Sequence, residues 1–269
     1  MTTLVTGARG MLGQVVVSLG DSRGIDRAEG DLADGLPLDA TISGVIHCAG
    51  YTDVDGAEAD PEAARRGNVE TTRVVATACA ERDLPLVVVS TDYVFDGRAE
   101  RPYVETDATN PLGVYARTKA EAEAVALDRH PGGTRIVRTA WLYGPGGRNF
   151  PDTMLALADR PLRVVDDQCG SPTSTAALAP VLHECLELPA GIYHAACEGA
   201  CSWYELAAAT FAIAGIEADL SPCTTAEYPR PAPRPARSVL DCSRLAALRG
   251  QALPHWRDAL ATHLARPRA

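Results

Sequence analysis

The sequence predicts an α/β protein with a doubly wound parallel sheet, followed by a smaller mixed α/β domain. Three observations predict it: a glycine-rich turn directly after the first apolar run, apolar runs that alternate with stretches of helical spacing, and shorter elements after Gly144. Strands alternating with helices are typical of parallel sheets covered on both faces. We place the first domain at residues 1–145 and the second at residues 146–269, and expect residues around 174–189 to pack back on the first.

The composition is that of an ordinary globular protein. Of the 269 residues, 46% are hydrophobic and 22% are charged, which suffices for a sizeable core. The net charge of −10 argues against nucleic acid or an anionic membrane surface as the main partner. No apolar run has the length of a transmembrane helix, and the first residues do not read as a signal peptide. We therefore expect a cytoplasmic protein.

Eight cysteines are present, without paired spacing. A chain of this length does not need a disulfide framework. His194, Cys197 and Cys201 lack a fourth ligand at a recognisable spacing. We interpret the thiols as small buried side chains and expect no metal site.

A glycine-rich turn follows the strand-like residues 3–6 and precedes an apolar run at residues 15–19. Strand, glycine turn and helix in this order is the context of a dinucleotide-binding site. Gly7 permits a tight turn, Gly10 lets the backbone approach a pyrophosphate, and Gly13 lets helix and strand pack closely. The sequence therefore predicts a Rossmann-type domain in which the start of the helix faces the phosphates. The predicted cofactor contacts here are Gly7, Arg9, Gly10, Met11, Leu12 and Gly13.

The adenosine ribose is expected to be read about twenty residues after the first glycine. Asp26 would accept from a free 2′-hydroxyl and favours NAD, whereas Arg27 together with Arg9 would attract a 2′-phosphate and favours NADP. These two signals conflict. Asp31 and Leu32 lie slightly further on, where contacts with the adenine edge are expected.

Two later strands end in residues suited to a site. The run at residues 44–50 ends in the small residues Cys48, Ala49 and Gly50, which lets a cofactor lie across its carboxyl end. The continuous apolar run at residues 84–90 leads into Thr91 and Asp92. Active sites of open α/β sheets collect at such carboxyl ends.

The central candidate is a pair formed by Tyr115 and Lys119. Lys119 is the one lysine among 25 basic residues. Residues four apart share one helix face, so the phenol and the ammonium point the same way. A nearby ammonium would lower the pKa of the phenol toward working pH. The pair alone is a weak signal.

The C-terminal part contains short strands at residues 162–166 and 191–195. Ser202 and Glu205 form a capping-box pattern that predicts a helix to about Ala214. Residues 228–238 form a proline-rich extended loop with three arginines. Arginine forks suit a pyrophosphate, so we expect an anion site on this domain.

Over nearly the whole length, the chain resembles the extended short-chain dehydrogenase/reductase superfamily and, within it, the dTDP-4-dehydrorhamnose reductase family. The glycine turn and the Tyr115/Lys119 pair mark only the superfamily. Three stretches are more specific, namely residues 90–95, residues 167–173 and the Arg234-Pro235-x-x-Ser238 pattern. Residues 105–107 and Arg138 with Trp141 also agree.

The resemblance implies reduction of the 4-keto group of a nucleotide-linked 4-keto-6-deoxy sugar by NADPH, with NADH as the alternative, as in dTDP-rhamnose biosynthesis. Tyr115 would be the general acid, Lys119 would hold the phenol pKa low and bond the nicotinamide ribose, and Thr91 would donate to the carbonyl oxygen. The assigned substrate-binding residues are Asp92, Trp141, Asn149 and Arg234, with Trp141 on the sugar ring and Arg234 on the pyrophosphate. A homodimer is a further expectation. Some family members are described with a magnesium-linked dimer built on acidic residues near the first helix; residues 15–17 here are valines, so no metal is expected.

Three other functions remain for comparison. A sugar-nucleotide dehydratase needs a carboxylate pair after the threonine, but Thr91 is followed by Asp92 and then Tyr93, so this rival is rejected. An epimerase that retains NAD stays open. So does a non-catalytic protein resembling the regulatory subunit of methionine adenosyltransferase, although an intact Thr91, Tyr115 and Lys119 argues for chemistry.

Overall fold

The computed structural model describes residues 2–26, 32 and 35–266, and these contain twelve strands and ten α-helices. The strands are β1 (Thr2–Thr6), β2 (Ser22–Ile25), β3 (Ile42–His47), β4 (Leu86–Thr91), β5 (Thr134–Thr139), β6 (Leu142–Tyr143), β7 (Leu162–Val165), β8 (Cys169–Gly170), β9 (Thr173–Ser174), β10 (Gly191–His194), β11 (Cys201–Ser202) and β12 (Leu220–Cys223). The helices are α1 (Gly13–Val17), α2 (Gly56–Ala59), α3 (Pro61–Arg65), α4 (Thr71–Ala80), α5 (Val114–Arg129), α6 (Phe150–Ala156), α7 (Thr175–Cys185), α8 (Trp203–Ala214), α9 (Ser243–Arg249) and α10 (Trp256–Leu264). A π-helical turn, Arg66–Glu70, joins α3 to α4.

Six parallel strands form the central sheet, in the order β10-β5-β4-β3-β1-β2. Strands β2 and β3 lie on opposite sides of β1, so the direction of winding reverses there. In open α/β sheets, ligands bind in the crevice at the carboxyl ends of the strands beside such a reversal. The predicted doubly wound α/β fold is confirmed.

Both faces of this sheet are buried. Successive strand residues point to opposite faces, and β1 illustrates the result. Leu4 packs in a core cluster with Val75 and Cys79 of α4, whereas Val5 packs in a second cluster with Leu178 of α7. Apolar burial on both sides explains why the central strands read as continuous apolar runs.

The residues after 145 form smaller units and also complete the sheet. Helix α7 packs against α1, and β10 pairs in parallel with β5. The remaining strands form three two-stranded pairs, β6 with β9, β8 with β11, and β7 with β12. The predicted capping box of Ser202 and Glu205 is confirmed at the start of α8. The division between residues 145 and 146 stays a proposal, with residues around 174–189 packing back on the first domain.

No helix among the described residues has the length and apolar character needed to cross a membrane.

Candidate active site

The glycine-rich turn brings three parts of the chain into close approach. Gly7 has a left-handed backbone, with φ +68°, and a side chain there would meet the backbone of Ala49 at the end of β3. A Cβ on Gly13 would overlap the carbonyl oxygen of Gly7. The amide of Gly10 donates to that same oxygen at 3.0 Å. This glycine cradle therefore has no room for a side chain at Gly7 or Gly13, which fits close approach by a dinucleotide pyrophosphate.

We expect Gly13→Ala to weaken dinucleotide binding at least about tenfold, because relieving the overlap must displace the turn, at a cost of about 1–3 kcal/mol. Gly132→Ala is the matched control, since a Cβ at Gly132 meets nothing within 4 Å. Fluorescence titration of both variants with NADPH measures the effect. Equal affinity in the two variants would contradict the assigned role of the turn.

The ribose-reading region is only partly described. The carboxylate of Asp26, directly after β2, accepts from the amide of Arg9 at 2.9 Å, so these two residues lie side by side. Leu32 is partly buried and packs against the core cluster around Leu4. Arg27 and Asp31 lie outside the described residues.

Three carboxyl ends meet where β1, β3 and β4 finish. Cys48 follows β3 directly, and Thr91 is the last residue of β4. Burial raises the pKa of the Cys48 thiol to about 12, and the positive charge of Lys119 acts in the opposite direction. A side chain at Gly50 would press on the Asn68 amide. The end of β3, with its small residues, therefore faces the helix that carries Lys119.

Tyr115 and Lys119 lie one turn apart on α5, with Tyr115 the second residue of that helix. The Thr91 hydroxyl lies close enough to the Tyr115 phenol to lower its pKa, against the larger effect of burial. The Tyr93 ring packs edge-to-face against Tyr115 at 6.3 Å between centroids. The structure thus brings together Thr91, Tyr115 and Lys119 at the carboxyl edge of the sheet.

The expected effect of Lys119 on the phenol requires correction. Burial raises the pKa of Tyr115 to about 12, with the nearby Thr91 hydroxyl acting in the opposite direction. The Lys119 ammonium donates instead to the carbonyl oxygen of Val89 at 2.7 Å. Burial lowers the pKa of Lys119 to about 8, against the attraction of Glu123. Burial dominates the pKa of Tyr115 and Lys119 is not among the groups that shift it, so the phenol remains protonated at neutral pH.

A buried ion pair supports the helix that carries Tyr115 and Lys119. Glu123, one turn beyond Lys119, pairs with Arg138 of β5 at 2.7 Å, and their side chains are 6% and 3% exposed. Ser90 donates to the same carboxylate at 2.5 Å, and Arg138 also approaches the ring of His194. The helix is therefore tied to β4, β5 and β10 beneath the site. No sequence motif marks Glu123 for this role.

A second carboxylate holds the start of α5. Glu58 accepts from the amide of Val114, the first residue of that helix, at 2.6 Å. An acceptor at a helix start satisfies an amide that has no partner within the helix. The local sequence contains no signal for this contact, because Glu58 is brought to Val114 only by the fold.

Two predicted substrate-binding residues have partners within the protein. The Trp141 ring stacks on Trp203 with centroids 3.6 Å apart, so the protein covers one of the ring faces that a sugar was expected to use. Trp141 also has an unusual left-handed backbone, with φ +47°. Asn149 caps α6 and donates to the carbonyl oxygen of Gly144. Its amide is used in shaping this loop, so we withdraw Asn149 as a direct substrate contact.

The loop with three arginines at residues 228–238, here called the arginine loop, is held by Asp55, which no sequence motif singled out. One carboxylate oxygen of Asp55 accepts from Arg234 at 2.6 Å, and the other accepts from Arg230 at 2.5 Å. Hydrogen bonding from Arg234 is the main cause that lowers the pKa of Asp55 to about 2. Burial raises the pKa of the Tyr93 phenol, and the nearby charge of Arg234 acts in the opposite direction. Arg234 is therefore ion-paired within the protein, and its predicted contact with a pyrophosphate stays a prediction. The loop lies beside the start of α5, where a side chain on Gly113 would contact Pro233.

Within the described part of the chain, no group of three or more His, Cys, Asp or Glu side chains is arranged to hold a metal ion.

Comparison with known proteins gives a consistent result. The family model described as the RmlD substrate binding domain matches residues 1–268. The dTDP-4-dehydrorhamnose reductase of Streptomyces griseus is 43% identical over 96% of this chain and 91% of its own length. A dTDP-4-keto-6-deoxy-D-glucose reductase from Streptomyces niveus is 40% identical, covering 80% of this chain and 79% of its own length.

Solved structures agree with the sequence comparisons. The crystal structure of a dTDP-4-dehydrorhamnose reductase from Clostridium acetobutylicum has a TM-score of 0.91 and 37% identity, with 98% of both chains covered. The Bacillus anthracis dTDP-4-dehydrorhamnose reductase, solved in complex with NADP, has a TM-score of 0.88 and 33% identity, with 97% of this chain and 98% of that chain covered.

Proposed function

Since this chain belongs to the dTDP-4-dehydrorhamnose reductase family, as its sequence motifs predicted, we propose that it reduces the 4-keto group of a nucleotide-linked 4-keto-6-deoxy sugar. NADPH is the proposed reductant, because the similar Bacillus anthracis enzyme was solved with NADP. The observation that carries the proposal is the grouping of Thr91, Tyr115 and Lys119 beside the glycine cradle. dTDP-4-dehydrorhamnose or a close relative is the proposed substrate.

The residues at the carboxyl edge of the sheet suit the proton side of this reaction. When bound, the reduced nicotinamide supplies a hydride to the ketone carbon. The carbonyl oxygen then gains negative charge, and Tyr115 donates its phenolic proton there. Thr91 donates a hydrogen bond to the same oxygen. A phenol whose pKa is raised to about 12 is protonated when the reaction begins.

Lys119 acts through its charge and its position. Its ammonium stabilises the phenolate left on Tyr115 after proton transfer. The bond to the Val89 carbonyl fixes the ammonium over the end of β4. We propose that its remaining protons bond the nicotinamide ribose.

The nucleotide end of the substrate is proposed to bind at the arginine loop. Arg230 and Arg234 share the single negative charge of Asp55, so the cluster keeps one net positive charge. Each guanidinium carries five N–H donors, and Asp55 takes only some of them. The cluster thus offers fixed, spare donors to a diphosphate. We further propose that Trp141 contacts the sugar through the part of its ring that Trp203 does not cover.

We expect Arg234→Ala to raise KM for the nucleotide sugar about 10- to 100-fold, since a charge-assisted hydrogen bond contributes about 1.5–3 kcal/mol. The change in kcat should be much smaller, because the diphosphate is remote from the ketone. Asp55→Asn should raise KM less, since both arginines remain but lose their common anchor. Steady-state kinetics measure both variants. A normal KM in Arg234→Ala would remove the loop from the substrate site.

The decisive assay follows the absorbance of NADPH and NADH with a panel of nucleotide-linked 4-keto sugars. We expect oxidation of NADPH that depends on the sugar. Protein that retains NAD through purification and oxidises no added NADPH would indicate an epimerase. Absence of turnover together with tight association with another protein would indicate a regulatory subunit.

A cytoplasmic location and a homodimer also remain proposals. A reaction that consumes NADPH and a sugar nucleotide supports the first. Light scattering on the purified protein measures the second directly.

A further inference from the structure

A buried carboxyl group lies directly behind the proposed catalytic hydroxyl. Asp92 is 2% exposed and follows Thr91 in the chain. The Thr91 hydroxyl donates to Oδ1 of Asp92 at 3.0 Å, and the Ser238 hydroxyl donates to Oδ2 at 2.5 Å. Ser238 is 1% exposed and belongs to the arginine loop segment. Both carboxyl oxygens therefore have partners within the protein. The assignment of Asp92 as a substrate-binding residue stays a prediction.

The charge of Asp92 decides where the hydroxyl proton of Thr91 points. A threonine hydroxyl has one proton to donate. An ionised Asp92 only accepts, so the Thr91 proton points at Oδ1 and the Ser238 proton points at Oδ2. The amide of Tyr93 donates to Thr91 as well and offers it no alternative acceptor. In this state Thr91 has no proton for Tyr115 or for a ketone oxygen.

A protonated Asp92 reverses the direction of one bond. Ser238 continues to donate to Oδ2, while the carboxyl proton on Oδ1 is donated to the Thr91 oxygen. The Thr91 proton is then free to turn toward Tyr115, whose phenol lies close enough to Thr91 for that hydroxyl to influence its pKa. Neutral Asp92 also removes a negative charge that raises the pKa of Tyr115 and would oppose the alkoxide formed on reduction.

We propose that Asp92 is a positioning residue that acts in its protonated form and turns the Thr91 hydroxyl toward Tyr115 and the ketone oxygen. Ser238 favours the ionised form of Asp92, because its hydroxyl donates a hydrogen bond to the carboxylate. This inference rests on the proposed reductase function and deepens it. Thr91 can donate a hydrogen bond to the substrate only while Asp92 is protonated.

The surroundings of Asp92 favour that state near neutral pH. Burial raises the pKa of Asp92 to about 7, against the bonds from Ser238 and Thr91. The other titratable or charged groups that face this corner are Tyr115 of α5, Tyr93 and, through Tyr93, Arg234. The active, neutral form is therefore present below about pH 7 and is lost as the pH rises through that value. The pKa of Lys119 is lowered to about 8, so loss of its charge should cause a second decrease in activity at higher pH.

The test is the pH dependence of kcat with saturating NADPH and keto sugar. Ser238→Ala removes a hydrogen bond that favours the ionised form of Asp92. The alkaline limb that Asp92 causes in the pH profile, the one at lower pH, should therefore move up by about one pH unit in this variant. Asp92→Asn should lack that limb altogether, because its amide donates to Thr91 at every pH. Ser221→Ala, on exposed β12, is the control and should reproduce the wild-type profile.

An unchanged limb in Ser238→Ala would overturn the proposal, whatever that variant's overall rate. If Asp92→Asn does not fold, the Ser238→Ala profile alone decides. A wild-type protein that oxidises no NADPH with any keto sugar would instead refute the proposed function. The two failures are therefore distinguishable.

Discussion

Replacing Tyr115 by phenylalanine is expected to lower kcat about 10³-fold, since general acid catalysis by a positioned side chain contributes about 10²- to 10⁴-fold. The variant loses the phenolic proton and keeps the ring. The edge-to-face contact with Tyr93 is preserved, so binding of cofactor and sugar should change little. The loss should therefore appear in kcat with little change in KM.

Tyr204→Phe is the matched control. Tyr204 is the second residue of α8, as Tyr115 is of α5, and the substitution removes the same atom. We expect Tyr204→Phe to keep wild-type turnover. If Tyr115→Phe retained most of its activity, the proton would have to come from another group and the assignment of the acid would be wrong.

Removing the carboxylate of Glu123 should have the largest effect on stability. Glu123→Ala leaves the Arg138 guanidinium, only 3% exposed, without its ionic partner. Breaking a buried pair in this way costs about 3–5 kcal/mol, because an uncompensated charge remains in the interior. The tie between α5 and β5 is lost with it, so the geometry of Tyr115 and Lys119 should suffer in the fraction that still folds.

Denaturant unfolding measures this effect. Glu121→Ala is the control, since Glu121 lies on the same helix and pairs with Arg65 at the surface. Exposed pairs contribute about 0–1 kcal/mol. A loss of stability in Glu123→Ala no larger than that in Glu121→Ala would show that Arg138 finds other partners.

Local sequence order was sufficient to predict the geometry of the glycine turn and the grouping of Thr91, Tyr115 and Lys119. Gly7 and Gly13 act through backbone geometry within one turn, and Tyr115 and Lys119 through helix periodicity. Thr91 was found because parallel strands place their carboxyl ends on one edge. Each of these signals lies within a few residues of chain.

Contacts between distant segments were not predictable in this way. Asp55 and Arg234 are 179 residues apart in the chain, and no local sequence pattern near either residue indicates their contact. The stacking of Trp141 on Trp203 depends equally on tertiary packing. The predicted direction of the Tyr115 pKa shift was wrong. The sequence shows the nearby Lys119 ammonium but not the depth of burial, and burial is the main cause of the shift.

The most direct test of the central claim is the fate of a deuteride carried on the nicotinamide. NADPH labelled with deuterium at the transferred position is incubated with the wild-type protein and a nucleotide-linked 4-keto-6-deoxy sugar, and the product is analysed by mass spectrometry and NMR. Direct reduction at the Thr91, Tyr115 and Lys119 site predicts one deuterium per product molecule, bonded to C4. A product without that label at C4, or unchanged sugar beside intact NADPH, would contradict the account.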